Sequence, residues 1–286
     1  MEAHEPTMQT ALAQESDHNV TWQIRSGIAD VRLNRPQKHN AIDTDLLAAL
    51  ARIGIMLRSR TDVRAVVFSG NGPSFCSGLD FDRLRNFERG TRTEWQMLAV
   101  DVFPAAALGQ QAVHVWSTLP VPVIAAIHGV AFGGGLQLAL GADIRIVDPS
   151  ARLSVKEIDW GLVPDMMATA LLPELVGRDV AKELTLTGRE VDGREAVDLG
   201  LATRVHESPL SAATELAVEI ASRNPDAIRA AKALLDSSGR VSLAEQLAAE
   251  QVAVNRLIGS ANQSEAVRAK MARRPAQFRD FGGTSR

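Results

Sequence analysis

Two glycine-rich segments, FCSGLD at residues 75–80 and HGVAFGGGLQ at residues 128–137, decide the fold of this chain. Each follows an apolar run typical of a buried strand, at residues 65–68 and 121–127. Glycine permits tight turns and lets a ligand approach the main chain. Two such turns at the ends of two strands can aim two backbone N–H groups at one point, where they would stabilise an oxyanion or enolate. The segments therefore predict an anion-stabilising site.

The composition is that of a globular enzyme. The 286 residues are 45% hydrophobic and 23% charged, with a net charge of -3, which gives no reason to expect a nucleic acid or an acidic membrane as partner. No apolar run is long enough to cross a membrane, and the single cysteine, Cys76, excludes an internal disulfide. The six histidines lack metal-ligand spacing, and no dinucleotide or phosphate-loop motif occurs. We therefore expect no metal and no separate cofactor.

Three regions follow from the pattern of residues along the chain. Residues 1–19 carry four acidic residues and no apolar signal-peptide core, which predicts a disordered leader and a cytoplasmic protein. Residues 20–207 alternate strand and helix signals, typical of an α/β domain with a mainly parallel sheet. Residues 208–286 form a helical C-terminal region with a capping box at Ser242–Glu245. Its Ala-rich faces would suit packing on the core or on another subunit. An apolar stripe behind the capping box consists of Leu243, Leu247, Val254, Leu257 and Ile258.

Within the α/β region the strand signals begin with a hairpin at residues 20–33 and continue at residues 144–147, 153–155 and 201–205. Helical patterns cover residues 134–140 and 168–175, and a further helix is capped by Asp43 or Thr44. The mixed segment at residues 83–116 fits either a mobile helical flap over a pocket or a helical connector with one buried face.

Seven short pieces of the sequence resemble the crotonase (enoyl-CoA hydratase/isomerase) superfamily and occur in that family's order, from about residue 20 to residue 278. The pieces are LNRP at 33–36, NA at 40–41, FCSGLD at 75–80, PVIAAIHG at 122–129, GGG at 133–135, ADIR at 142–145 and EIDWGLVP at 157–164. The resemblance implies an α/β fold with a crotonase-like ββα spiral core, and a homotrimer or a dimer of trimers. It also implies proton transfer at an acyl-CoA thioester through an enolate, with coenzyme A as part of the substrate.

The resemblance also implies which residues form the site. The oxyanion-hole donors would be the N–H groups of Ser77 and Gly134, and Gly134 would begin a helix whose N-terminus adds positive potential. Lys38 would approach the CoA phosphates and Asp80 the adenine. Candidate partners of the 3′-phosphate, in the same or a neighbouring subunit, are Lys232, Lys270, Arg273 and Arg274. The remaining substrate contacts would come from Ala41, Ser77, Gly78, Leu79 and Gly133.

Acid–base chemistry is implied for Glu157, which stands where the family's hydratases carry one catalytic glutamate. Their second glutamate is replaced by Gln137, whose amide cannot accept a proton. Asp165 stands where the family's dienoyl-CoA isomerases place a catalytic aspartate, or else it caps a helix that starts at Met166.

Within this family, hydratase is the activity that the resemblance favours. Gln137 argues against hydration, because it replaces the second catalytic glutamate. The alternatives are a dienoyl-CoA or 3-enoyl-CoA isomerase, and a catalytically weak paralogue that binds acyl-CoA. Cys76 is expected to pack rather than to react, because no histidine stands in a partner position.

Overall fold

The computed structural model describes residues 14–90 and 102–282, and within them ten strands form two sheets. The larger sheet has seven strands in the order β1-β2-β3-β4-β5-β7-β10, and the smaller has three in the order β6-β8-β9. The strands are β1 Gln14–Asp17, β2 Val20–Arg25, β3 Ile28–Leu33, β4 Ala65–Gly70, β5 Val123–Ile127, β6 Val130–Phe132, β7 Ile144–Val147, β8 Arg152–Ser154, β9 Val191–Asp192 and β10 Arg204–Val205.

Eleven α-helices in the described residues surround the sheets, and short 3₁₀ helices cover Pro36–Lys38 and Lys156–Trp160. The α-helices are α1 Thr44–Arg58, α2 Phe81–Glu88, α3 Leu108–Ser117, α4 Gly134–Leu140, α5 Ala168–Val176, α6 Arg178–Thr187, α7 Gly193–Asp198, α8 Pro209–Ala221, α9 Pro225–Ser237, α10 Leu243–Leu257 and α11 Ala261–Met271. No helix within the described residues is both long and apolar enough to cross a membrane.

The larger sheet opens with an antiparallel hairpin and continues in parallel. Strands β2 and β3 pair antiparallel around Ser26 and Gly27, which both adopt positive φ, and this confirms the predicted hairpin. Strand β1 pairs with β2 as well, so residues 14–17, inside the predicted leader, belong to the sheet. The predicted disordered leader is therefore wrong for residues 14–17, because a strand of four residues is too short to recognise from its sequence pattern. Residues 1–13 lie outside the described residues.

The parallel strands β4 and β5 are buried along nearly their whole length, as their continuous apolar sequences predict. One face of the sheet packs on α1 and α3, which meet each other closely. The other face packs on α8 through three small residues, Ala212, Ala213 and Ala217. The first helix of the predicted C-terminal region therefore completes the core, because the parallel strands need cover on both faces.

The segment at residues 83–116 spans two helices that differ in burial. Helix α3 buries most of its residues, which fits the connector with a buried face. Helix α2 buries none of its residues and lines the main cavity instead. Residues 91–101, which connect the two, lie outside the described residues.

The far C-terminal helices leave their apolar stripe uncovered by the described chain. Helix α10 has no buried residue, although its capping box forms as predicted, with Ser242 and Glu245 bonding each other. Leu243 and Ile258 are 75% and 67% exposed. The stripe thus does not pack on the core of its own chain.

Candidate active site

The two glycine-rich segments lie side by side, as predicted. Cys76 and Ala131 form a parallel bridge, in which the Cys76 N–H donates to Val130 O and the Phe132 N–H to Cys76 O, both at 3.0 Å. Glycine is required at the crossing, because a Cβ on Gly135 would overlap the carbonyl oxygen of Cys76. Cys76 is fully buried, and this burial raises the pKa of its thiol to about 12, so the residue packs rather than reacts.

Gly134 is the first residue of α4, preceded by Gly133 at φ +50°. The first intrahelical bond runs from the Gln137 N–H to Gly133 O at 3.0 Å. The N–H groups of the first turn have no acceptor inside a helix, and Gly134 lines the cavity. Its N–H is therefore positioned to bind an anion there.

Ser77 does not offer the second donor that the sequence predicted. Its N–H donates to the carbonyl oxygen of His39 at 2.9 Å, inside the protein. The assignment was wrong because the sequence does not show that residues 39 and 77 are neighbours.

The backbone N–H of Leu79, two residues further on, is a better candidate for the second donor. It bridges Ile42 in parallel, and the two hydrogen bonds of this bridge use the flanking residues: the Ile42 N–H donates to Gly78 O at 2.7 Å and the Asp80 N–H to Ile42 O at 3.0 Å. The N–H of the bridged residue itself then points away from Ile42. Leu79 also lines the cavity.

Glu157 lies in the 3₁₀ helix that follows β8, and Gln137 holds it in place. The Gln137 side-chain Nε2 donates to Glu157 Oε1 at 2.7 Å. The Gln137 Oε1 accepts two backbone N–H groups, from Met166 at 2.9 Å and Ala168 at 3.2 Å. An amide oxygen has two lone pairs, so this one is fully used. Gln137 is buried behind the cavity and positions the carboxylate.

The second oxygen of Glu157, Oε2, is buried without a hydrogen-bond partner among the described residues. Burial raises the pKa of Glu157, the hydrogen bond from Gln137 opposes this shift, and the charge of Asp165 adds to it. A Cβ on Gly133 would lie 3.1 Å from Glu157 Oε1, so the carboxylate lies beside the start of α4. A proton acceptor is therefore placed next to the candidate anion site.

Asp165 lines the same cavity as Glu157. The capping alternative fails, because α5 begins at Ala168 rather than Met166. Its N-cap is Met167, at φ +74°, with no side-chain cap bond. The observed start agrees with the helical pattern at residues 168–175, whereas the positive φ of Met167, which is rare for such a residue, gives no signal in the sequence.

The cations and carboxylates at the cavity mouth form a cluster around Asp80. Asp80 caps α2 and accepts hydrogen bonds from Arg35 and Lys38, each at 3.0 Å. Burial acts to raise the pKa of Asp80, but the bonds from Lys38 and Arg35 outweigh it and lower the pKa. Lys38 remains half exposed at the mouth.

Lys232 is not available to a phosphate, because it is buried in ion pairs with Asp143 and Asp236. Arg274 pairs with Glu265. Neither these two residues nor Lys270 and Arg273 line the cavity.

The cavity has a volume of about 1030 Å³. It is lined by ten residues that the sequence singled out: Lys38, Ala41, Ser77, Gly78, Leu79, Asp80, Gly133, Gly134, Glu157 and Asp165. Two large aromatic residues that the sequence reading missed, Phe81 and Trp160, line it too. Their closeness in sequence to predicted site residues could have indicated them, because Phe81 follows Leu79 by two residues and Trp160 follows Glu157 by three. Within the described residues no group of acidic, histidine or cysteine side chains could hold a metal ion.

Comparison with known proteins places these features in a family. The family described as enoyl-CoA hydratase/isomerase matches residues 23–281. The chain belongs to this family. YngF of Bacillus subtilis, whose name assigns it to the enoyl-CoA hydratase/isomerases, is 36% identical over 88% of this chain and 94% of its own length. The mitochondrial Δ(3,5)-Δ(2,4)-dienoyl-CoA isomerase of rat is 36% identical, over 81% of this chain and 74% of its own length.

Solved structures of the enoyl-CoA hydratase/isomerase family confirm the predicted fold. The crystal structure of enoyl-CoA hydratase from Bacillus anthracis superposes with a TM-score of 0.79 at 30% identity, covering 93% of this chain and 98% of the other. The chain is thus an enzyme of the enoyl-CoA hydratase/isomerase family, which acts on acyl-CoA thioesters. The proteins that it resembles include some named as hydratases and some named as isomerases.

Proposed function

We propose that this protein moves a carbon–carbon double bond in an unsaturated acyl-CoA thioester, with Glu157 as the proton carrier. The observation that carries the proposal is the state of Glu157: one carboxylate oxygen is fixed by Gln137, and the other is buried without a partner among the described residues. A buried acceptor held in one orientation is suited to take a proton from a carbon atom.

The thioester oxygen would be bound by the N–H groups of Leu79 and Gly134, which replaces the sequence-based pair of Ser77 and Gly134. When Glu157 removes the proton at Cα, the electron pair of the C–H bond enters the thioester carbonyl, and negative charge develops on its oxygen. Two fixed donors stabilise that charge without reorganising. Glu157 then returns this proton, or one exchanged with solvent, to the far carbon of the old double bond. The thioester carbonyl reforms, and the double bond lies one position nearer to it.

Gln137 argues against hydration as the main reaction. Syn hydration by the family's two-carboxylate arrangement needs a second group that handles a proton of the attacking water. The amide oxygen of Gln137 is occupied by two backbone N–H groups and cannot accept a proton. Asp165, in the same cavity, would serve as a second proton acceptor for a dienoyl substrate.

Hydration is the second candidate, favoured by the 30% identity to an enoyl-CoA hydratase of the same fold. A catalytically weak paralogue that only binds acyl-CoA is disfavoured. A buried carboxylate oxygen without a partner lowers the stability of the fold, and binding alone does not require such a group.

Mass spectrometry in deuterated water tests the proposal. The wild-type protein and Glu157→Gln would be incubated with 2-enoyl-, 3-enoyl- and dienoyl-CoAs. We expect products of unchanged mass apart from deuterium at Cα or at the carbon that leaves the double bond, and no detectable product with Glu157→Gln. A product heavier by one water as the main outcome would select hydratase activity. Absence of both exchange and product with all three classes would contradict the proposal.

We also propose a role for Lys38 in CoA binding and for α10 in subunit contacts. Lys38, half exposed at the cavity mouth, would contact the phosphates of CoA. The uncovered apolar residues of α10 would lie between subunits of a homotrimer or a dimer of trimers. A cytoplasmic location stays a prediction.

A further inference from the structure

Two aromatic side chains meet at the cavity although both are largely exposed. The rings of Phe81 and Trp160 are 6.0 Å apart between centroids and inclined by 75°, an edge-to-face pair. Phe81 is 67% exposed and Trp160 is 53% exposed. Aromatic surface is costly to leave in water, so this pair is suited to a ligand that covers it.

The pair lies directly beyond the reacting groups. Phe81 is the first residue of α2, two residues after Leu79. Trp160 ends the 3₁₀ helix, three residues after Glu157. Because a 3₁₀ helix has three residues per turn, residues i and i+3 lie on the same side. The proposed anion donor and the proposed proton carrier are thus each followed by one ring of the pair.

Aromatic residues are concentrated around this cavity. The whole chain has eight Phe, four Trp and no Tyr. Of the eleven that lie within residues 14–90 and 102–282, four line the cavity, namely Phe81, Phe87, Phe132 and Trp160. Helix α2 contributes Phe81, Leu84 and Phe87, which are three residues apart and share one face. None of the three is fully buried, and although Phe87 also packs against the core, all three present apolar surface to the cavity.

We propose that Phe81 and Trp160 select the acyl group and favour a flat one whose conjugation extends beyond Cβ, such as an aryl-substituted or dienoyl chain. The proposal rests on the proposed function, which places the thioester at Leu79 and Gly134. A flat π system gains edge-to-face or offset contacts with both rings, in addition to the burial that any apolar chain of equal size gains.

Binding measurements on Glu157→Gln, which is expected to turn over acyl-CoA slowly enough for titration, test the selection. The two ligands are cinnamoyl-CoA and trans-2-nonenoyl-CoA, which have equal numbers of acyl carbons but differ in conjugation beyond Cβ. Titration calorimetry would give the ratio of their dissociation constants. We expect cinnamoyl-CoA to bind about tenfold more tightly.

Adding Phe81→Leu or Trp160→Leu keeps an apolar side chain and removes the ring. Each change should lower the preference about threefold to tenfold. The matched control is Leu186→Ala in α6, because Leu186 is also 67% exposed but does not line this cavity. It should leave the ratio within twofold. Circular dichroism confirms that each variant is folded.

Equal affinity for the two ligands, or an unchanged ratio in both leucine variants, would overturn the selection. The readout is separate from the reaction. If deuterium experiments show no proton transfer but the ratio still falls in the leucine variants, the proposed function fails and the selection stands.

Discussion

At the scale of single residues, the proposed chemistry depends on a largely buried carboxylate, Glu157. Glu157 is held by Gln137 on one side, and its other oxygen has no described partner. The charged form is therefore poorly solvated, which is what makes it a proton acceptor of useful strength.

Replacing Glu157 by Gln should lower turnover roughly 10²–10⁴-fold and stabilise the fold at neutral pH. Burial raises the pKa of Glu157 in the folded protein. Its contribution to stability is therefore fully present below the unfolded pKa and is lost as pH rises through the folded pKa. The melting temperature of Glu157→Gln should exceed that of the wild type at pH 8 by more than at pH 4. Scanning calorimetry at the two pH values checks this, and a gain that is larger at pH 4 would contradict it.

Removing either proposed anion donor should slow the reaction. Proline has no N–H, so Leu79→Pro and Gly134→Pro should each cost roughly 10²–10³ in turnover. Ser77→Pro should chiefly lower stability, because the Ser77 N–H bonds His39 inside the protein. Steady-state rates and circular dichroism separate the two effects. Normal turnover by a folded Leu79→Pro or Gly134→Pro variant would remove that residue from the mechanism.

Gln137→Glu should change the pH dependence of the reaction. One oxygen of the new carboxylate would still accept hydrogen bonds from the N–H groups of Met166 and Ala168. The other oxygen would replace the Gln137 Nε2, which in the wild type lies 2.7 Å from Glu157 Oε1. Two carboxylates at that distance must share a proton, so their first deprotonation is easy and their second is hard. The acid limb of the kcat/KM profile should therefore move by at least about one pH unit to higher pH. An unmoved limb would contradict the positioning role of Gln137.

At the scale of elements, the site depends on loops that are fastened to one another. Asn40 is fully buried at φ +57°, a conformation that asparagine tolerates. Its Nδ2 lies within hydrogen-bond distance of the carbonyl oxygens of Asn71, Ser74 and Phe75. One side chain thus joins the loop before α1 to the glycine-rich loop after β4.

Asn40→Asp should destabilise the protein by about 2–4 kcal/mol, because a carboxylate has no donor for three buried carbonyl oxygens. Denaturant unfolding measures the loss. The control is Asn255→Asp on the exposed face of α10, which should change stability by less than about 0.5 kcal/mol. A similar stability for the two variants would show that the fastening is unimportant.

The sequence predicted elements well where the signal was local. The strand at residues 144–147 and the helix cap at Asp43 both appear as predicted. The predicted strand at residues 201–205 shrinks to β10, because only Arg204 and Val205 pair with β7. The helical pattern at residues 168–175 appears as α5, whereas the alternative cap at Asp165 fails, since the backbone N–H groups of Met166 and Ala168 bond a distant side chain, Gln137.

At the scale of the whole molecule, the C-terminal helices differ in what they cover. Helix α8 closes one face of the sheet, and the buried Lys232–Asp143 pair ties α9 to the segment before β7. Helix α10 presents apolar side chains to solvent instead. An uncovered apolar face of this kind is typical of a surface that meets another protein.

Light scattering should therefore give the mass of a trimer or of a dimer of trimers for the wild-type protein. A charge placed in a buried apolar interface is strongly unfavourable, so Leu247→Asp and Ile258→Asp should shift the mass towards the monomer. Leu186→Asp, outside α10, serves as the control and should not. A monomeric wild type at micromolar concentration would contradict this prediction.

The sequence by itself determined the family, the two glycine-rich loops and the carboxylate of Glu157, because these depend on residue types at fixed spacing along the chain. Only the tertiary structure decided what each group faces. It turned the Ser77 N–H inward to His39, and it placed Leu79 in the cavity lining with its N–H directed away from Ile42. It also used both lone pairs of the Gln137 amide oxygen and brought Phe81 against Trp160. Each of these contacts joins residues far apart in the chain, and the direction of an N–H or a ring depends on how distant strands and turns pack.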